Sequence, residues 1–322
     1  ANLVAKCDGQ TMPEESVALH TLQRDIDMAL YPADPDAILS PLRSGGSDVA
    51  MASAHQQEQS YTGANEVQGA AMSEAERERR LEVAMAELDQ LIGLDAVKQR
   101  VKSYTNFLRL QQQRRDAGLT TMPISLHMTF VGNPGTGKTT VARIVGQILG
   151  ALGTLQRGHV VETDRSGLVA EYAGQTAPKT NKLCDSAAGG VLFIDEAYSL
   201  IDASGDDAYG REALQTLLKR MEDSRDSMAV ILAGYSDEMK KMIQTNPGLS
   251  SRINTTIEFE DYSPLNLAMI FESLCEKNQY QLPSDARHRV LMGFCHLFAN
   301  RDRHFGNGRL VRNVFEDSVR KL

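Results

Sequence analysis

The spacing of apolar positions changes character several times along this chain of 322 residues. Between residues 12 and 43 they are scattered (Val17, Leu19, Leu22, Ile26, Met28, Leu30), enough for one or two short helices before Pro32, Pro35 and their acidic neighbours break the pattern. Residues 44–72 are rich in Gly, Ser, Ala and Gln and hold no periodic apolar face, which predicts a flexible linker. Order resumes at Ser73, where Ser73 and Glu76 form an S-x-x-E capping box able to satisfy two amides of a first helical turn. Leu81, Met85, Leu88 and Ile92 follow at helical spacing.

From there to about residue 262 short apolar runs alternate with helical stretches such as 138–152 and 210–223. The runs are LHMTFVG, HVVETD, GGVLFIDEA, MAVILAGY and NTTIEFED. Strands that alternate with helices predict a mainly parallel sheet covered on both faces, an α/β architecture. Beyond Pro264 the pattern is helical only. Apolar stripes at Ile270, Phe271 and Leu274, then Val290, Leu291, Phe294 and Phe298, then Leu310, Val314 and Phe315 predict a small all-α domain. The expected division is therefore a segment with linker over 1–72, an α/β domain over 73–262 and a helical domain over 263–322.

Composition narrows the function classes. A net charge of −8 and a pI near 5.5 disfavour a surface that coats nucleic acid, and no basic stripe with interleaved aromatics runs along the chain. No apolar run approaches the ~18 residues of a membrane span, and the first residues lack a signal-peptide pattern. Cys7, Cys184, Cys275 and Cys295 lie far apart with no C-x-x-C pair or zinc-finger spacing, as expected of reduced thiols in a cytoplasmic protein.

The strongest chemical signal is GNPGTGKT, Gly132 to Thr139, which fits G-x-x-x-x-G-K-[ST] between a predicted strand and a predicted helix. Gly135 and Gly137 let the backbone curl so that successive amides and the helix N-terminus face a phosphate, with Asn133, Pro134, Thr136 and Thr140 completing the loop. Lys138 reaches the β and γ oxygens, and Thr139 offers its hydroxyl to magnesium. The second signal is VLFIDEA, an apolar strand ending in two acids. Carboxylates at the end of a buried strand are costly unless a cation or water uses them. Asp195 is suited to the magnesium shell, and Glu196 to polarising an attacking water. The cofactors expected are ATP and Mg2+.

With GNPGTGKTTVAR, GHVVETDRSGLVAEYAGQTAPKT, GGVLFIDEAYSL, VILAGYSDEM, NPGLSSRI and GNGRLVRN in this order over roughly residues 86–322, the chain resembles the AAA+ superfamily, and within it the CbxX/CfxQ group. The resemblance implies a P-loop module with a parallel five-stranded sheet, followed by an all-α lid. It also implies a ring hexamer whose nucleotide sites lie between subunits. Under it Arg252 of SSRI is the finger that reaches the neighbour's site, and Arg309 senses the γ-phosphate, with Arg312 one turn on as the alternative. LIGLDAV places Ile92 and Leu94 beside adenine, or else in plain core. At the position where many superfamily members carry a water-positioning asparagine, this chain has Tyr235-Ser236-Asp237.

Tyr172, Ala173 and Gly174 match a loop that faces the central pore and grips a client polypeptide, the alternative being a Tyr172 buried under the following helix. The activity implied is magnesium-dependent ATP hydrolysis that remodels or pulls on a partner protein, in the manner of a Rubisco activase or a secretion or assembly chaperone. An ATP-switched assembly scaffold without threading activity is the alternative, and a DNA-acting motor a further one. Neither a membrane nor nucleic acid is an expected partner.

Overall fold

The computed structural model describes residues 73–122, 124–201 and 207–321. The short helices and linker expected before Ser73, and Cys7, lie outside these residues.

Five parallel strands form one sheet in the order β2-β3-β4-β1-β5: β1 Met128–Gly132, β2 Val160–Thr163, β3 Val191–Ile194, β4 Ala229–Gly234 and β5 Thr255–Phe259. Each corresponds to one of the five apolar runs. The three central strands are buried along their whole length, which is why they read as continuous apolar runs, whereas β2 and β5 at the edges are partly exposed. Pairing runs Val131 opposite Gly234, Ile194 opposite Leu232 and Gly132 opposite Phe259, so the C-terminal ends of β1, β3 and β4 lie side by side.

The period of two along the strands sorts their side chains between two cores. Phe130, Phe193 and Ile231 face one side with Leu81, Leu88, Val101, Ile144 and Ile148. The helical members come from α1 (Glu74–Gln90), α2 (Asp95–Asp116) and α3 (Lys138–Ala151). Val131, Leu192, Ile194 and Leu232 face the other with Leu168, Leu217 and Met239. These last come from α4 (Arg165–Leu168), α6 (Ala208–Asp223) and α7 (Ser236–Thr245), and Cys184 of α5 (Thr176–Ser186) joins them. A short α8 (Pro247–Arg252) leads into β5.

The lid consists of α9 (Pro264–Lys277), α10 (Ser284–Ala299) and α11 (Asn307–Arg320). Its core is Leu267, Phe271, Cys275, Phe294, Phe305 and Val311, bordered by Ile270, Leu274, Val290, Phe298, Leu310, Val314 and Phe315. The stripes expected from the sequence thus meet in one cluster, apart from Leu291, which is buried separately. Cys184 and Cys275 are buried free thiols and Cys295 is partly buried.

Two local expectations change. The capping box is half formed: Ser73 Oγ accepts from the Glu76 amide at 3.3 Å, but the Glu76 carboxylate turns to Arg79 and Arg80, whose guanidinium groups are stronger partners than a single amide. Ile92 lies beyond the helix that its spacing suggested. α1 ends at Gln90, where Leu91 leaves helical backbone with ψ 136°, and Gly93 and Leu94 then take left-handed backbone with φ of 62° and 61°. A Cβ at Gly93 would also lie 2.4 Å from Asn266 Nδ2 of the lid.

His127, just before β1, is 2% exposed and stitches the sheet to α6. Its Nε2 donates to the Met221 carbonyl at 2.9 Å, and its Nδ1 accepts from the Val230 amide at 3.1 Å. Among the described residues no helix is long and apolar enough to cross a membrane.

Candidate active site

The order of the sheet reverses direction at β1, and the crevice beyond the strand ends at such a point is where open α/β sheets bind ligands. A cleft of about 550 Å³ lies there. The loop after β1 forms its floor. Gly132, Pro134, Gly135, Gly137, Lys138, Thr139 and Thr140 line it, and α3 starts at Lys138 with no side chain capping its first amides. Uncapped helical amides carry partial positive charge and point at whatever fills the crevice. The Lys138 ammonium donates to the carbonyls of Gly132 at 2.9 Å and Asn133 at 2.8 Å, which holds it across the loop. Burial pushes its pKa down to about 8, opposed by the carboxylate of Asp195; Arg309 adds to the depression and Glu196 opposes it.

Asn133 and Thr136 do not line the cleft; they build the loop from behind. Thr136 Oγ1 donates to the Asn133 carbonyl at 2.8 Å, and Asn133 Nδ2 donates to Asp261 Oδ1 at 2.9 Å.

The end of β3 supplies the acids. Asp195 is half-buried and Glu196 exposed, and both line the cleft. Glu196 takes a left-handed conformation, φ 48° and ψ 41°, with its amide donating to Asp195 Oδ1 at 3.0 Å. That turn carries the two adjacent carboxyl groups into one crevice, where a regular strand would send them to opposite faces.

Tyr235, at the end of β4, lines the cleft, while Ser236 and Asp237 begin α7. The Tyr235 ring lies 5.8 Å from that of Tyr198 and 4.8 Å, edge on, from His304 of the lid. Burial first, and the nearby Glu196 carboxylate second, push the Tyr198 phenol up to about 12. It is therefore neutral beside Glu196.

The lid closes the far wall. Arg309 and Arg312 both line the cleft, one turn apart on α11. Opposite the phosphate loop, Ile92 faces the same space as Ile270 and Leu274 of α9, which gives an apolar end suited to a base. Leu94 does not line the cleft; it packs between the α/β core and the lid core. Ile270 and Leu274 are wall residues that their helical spacing marked only as lid core.

Arg252 stands elsewhere. At the end of α8 it pairs with Glu222 at 3.1 Å and donates to the Gly248 carbonyl at 3.1 Å, beside a second hollow that also holds His127 and Arg225. Tyr172, Ala173 and Gly174 are exposed on the loop between α4 and α5, with Tyr172 67% accessible. The alternative of a tyrosine buried under the next helix is therefore incorrect. Gly174, with φ 77° and nothing within 4 Å of a would-be Cβ, keeps the turn open.

A phosphate loop, a paired acid and an apolar end under a helical lid define an ATP-hydrolysing P-loop enzyme. Residues 128–261 match the family model described as the ATPase family associated with various cellular activities (AAA), and residues 263–322 match the AAA lid domain. The chain is 42% identical over 246 residues to the CfxQ homolog of Guillardia theta, covering 76% of this chain and 83% of that one. It is 40% identical over 241 residues to the chloroplastic ribulose bisphosphate carboxylase/oxygenase activase of Cyanidioschyzon merolae, covering 74% and 82%. To the ESX-1 secretion system protein EccA1 of Mycobacterium tuberculosis it is 44% identical over 250 residues, covering 75% and 44%. The chain belongs to the AAA ATPase family, in its CbxX/CfxQ group.

Proposed function

We propose that this ATPase works as a ring hexamer in the cytoplasm, that its hydrolytic site is completed by Arg252 of a neighbouring subunit, and that the Tyr172 loop transmits the work to a client protein. In this reading residues 73–262 form the motor domain and residues 263–322 the lid.

Within the cleft each side chain has a separate task. The loop amides and Lys138 hold the β and γ oxygens of ATP, Ile92 borders adenine, and Glu196 orients and polarises the attacking water. Thr139 and Asp195 suit a magnesium ion, since one hydroxyl and one carboxylate leave the remaining positions to water and phosphate, as that hard cation prefers. Bound there, the ion would neutralise charge on the phosphates. Tyr235 takes the place facing the water, and Arg309 faces the γ-phosphate. Arg252 is outside this cleft, and its pairing with Glu222, 51% exposed, is worth only about 0–1 kcal/mol, so exchange for a neighbour's phosphate costs little.

The observation that carries the client-remodelling reading is the exposed Tyr172 ring on a loop that contributes nothing to the cleft. An aromatic there supplies apolar contact to an extended polypeptide with few rotamers to freeze, and so tolerates varied sequence. Glu196→Gln should bind ATP and hydrolyse it at least about a hundredfold more slowly, which holds the client-bound form. Proteins that co-purify with Glu196→Gln in ATP should be released by adding Tyr172→Ala. An identical set retained by both would favour an ATP-switched scaffold that does no threading.

A further inference from the structure

One buried side chain ties the phosphate loop to the lid, and it lies in GNGRLVRN beside the arginines that carry that stretch's charge. Asn307 is 0% exposed at the start of α11 and takes left-handed backbone, φ 45°, a conformation that asparagine tolerates better than most residues. Its Oδ1 accepts from the amide of Tyr262 at 2.9 Å, in the connection between β5 and the lid. Its Nδ2 donates to Asp261 Oδ1 at 2.8 Å and to the Phe305 carbonyl at 2.9 Å, with the Pro134 carbonyl of the phosphate loop at 3.5 Å.

Asp261 is the second half of the knot. The same Oδ1 accepts from Asn133 Nδ2 at 2.9 Å, and Oδ2 lies 3.4 Å from Arg301 Nε of the lid. Backbone contacts run alongside. The Gly308 amide donates to the Gly135 carbonyl at 3.0 Å, a direct strap from lid backbone to loop backbone. Tyr262 donates its hydroxyl to the Thr136 carbonyl at 3.2 Å. A Cβ at Gly135 would lie 2.4 Å from the Gly306 carbonyl oxygen and 2.7 Å from the Arg309 amide, so the two segments touch with no side chain between them.

We propose that Asn307 is a positioning residue: it couples the phosphate loop to the lid, so that phosphate bound in the loop sets where Arg309 stands. This rests on the reading of the cleft as the ATP site with Arg309 facing the γ-phosphate. Arg309 follows Asn307 by two residues on the same helical turn, and the knot fixes that turn against both the loop and Asp261. A shift of the loop is therefore passed on to the turn that carries Arg309.

The test is hydrogen exchange of the full chain with and without ADP, joined to ATP turnover. In the wild type, ADP should slow exchange at residues 133–137 and at residues 305–312 together. Protection of the loop alone would overturn the coupling while leaving the cleft reading intact, and protection of neither would overturn both. This measurement needs no variant. Asn307→Asp keeps the acceptor for the Tyr262 amide but sets a carboxylate against Asp261. It should uncouple the two segments and lower kcat by at least about tenfold with KM changed less than about threefold. Adding Asp261→Asn returns a donor to the pair, which Asn133 accommodates by flipping its amide, and should recover part of both the coupling and the rate. Wild-type coupling and turnover in Asn307→Asp, or no recovery in the paired exchange, would reduce Asn307 to a packing residue.

Discussion

The nucleotide cleft and the Tyr172 loop carry different parts of one proposed function, and the chain holds them in opposite ways. At the cleft several groups are held in place: Lys138 by two backbone carbonyls, Tyr235 between Tyr198 and His304, and Asn133, behind the loop, by Asp261. Around Tyr172 the structure is a short turn, closed by the Gln175 amide donating to the Tyr172 carbonyl at 3.3 Å, with the ring facing solvent. Chemistry on a phosphate needs donors already in place, because their reorganisation would add to the barrier. Gripping a polypeptide needs area that adapts. A site can therefore be built by fixing groups or by leaving one free, according to whether it must recognise a transition state or many sequences.

The largest expected effect tests whether the cleft is complete within one chain. Arg252→Ala should lower ATP turnover by about a thousandfold, the scale on which a finger arginine acts. Lys138→Ala should lose tight nucleotide binding and be equally inactive. Mixed in equal amounts, the two should recover roughly a quarter of wild-type turnover, because about that share of interfaces pairs an intact loop with an intact finger. Activity that stays at the level of either variant alone, despite proven co-assembly, would place Arg252 in its own subunit's structure.

A smaller effect concerns charge in the cleft. Lys138 has its pKa lowered to about 8 chiefly by burial, and on the proposed role phosphate would bind its protonated form. Raising the pH through 8 therefore removes the binding-competent form, and ADP affinity should be about tenfold weaker at pH 9 than at pH 7. Calorimetric titration across that range checks the sign; a flat profile would mean the loop amides alone hold the phosphate.

The smallest effect belongs to the loop. Tyr172→Ala removes a ring with little buried area, so the melting temperature should shift by less than about 2 °C and basal turnover should stay within about twofold. A core aromatic truncated in the same way costs about 3 to 5 kcal/mol. A melting shift of that size at Tyr172 would erase the contrast between the two regions.

The strands, the lid helices and the phosphate loop were legible in the sequence because each rests on a local signal: an apolar run, a helical stripe, a glycine spacing. The acids after β3 were legible for the same reason. What was not legible depends on backbone conformation and on contacts far apart in the chain. Among the described residues, the non-glycine residues with positive φ are Leu94, Glu196, Gln279 and Asn307, and three of these stand at or beside the cleft. Asparagine hints at such a conformation, but leucine, glutamate and glutamine do not. Ile270 and Leu274 have spacing that places them on one helix face, but spacing cannot show that this face turns toward Ile92. Asn307 lies inside GNGRLVRN, whose arginines carry the obvious charge; the partners that satisfy its fully buried amide, Asp261, the Tyr262 amide and the Phe305 carbonyl, come together only in the fold. The end of α1 was missed because Ile92 continues the helical rhythm although the backbone turns extended at Leu91.

The stitch at His127 has a consequence for acid tolerance. Both ring nitrogens are committed, one as donor and one as acceptor, so the fold accepts only neutral imidazole, and burial, the main cause, lowers its pKa. The unfolded chain takes up the proton near pH 6.5 while the folded chain refuses it, so stability falls as the pH drops below that value. Below the folded pKa the added proton turns the Nδ1 acceptor into a donor facing the Val230 amide, and β4 loses its bond to the segment that begins β1. His127→Gln, which offers an amide nitrogen and an oxygen but takes up no proton, should flatten the melting temperature between about pH 7 and about pH 5. An unchanged slope would assign the acid sensitivity to other groups.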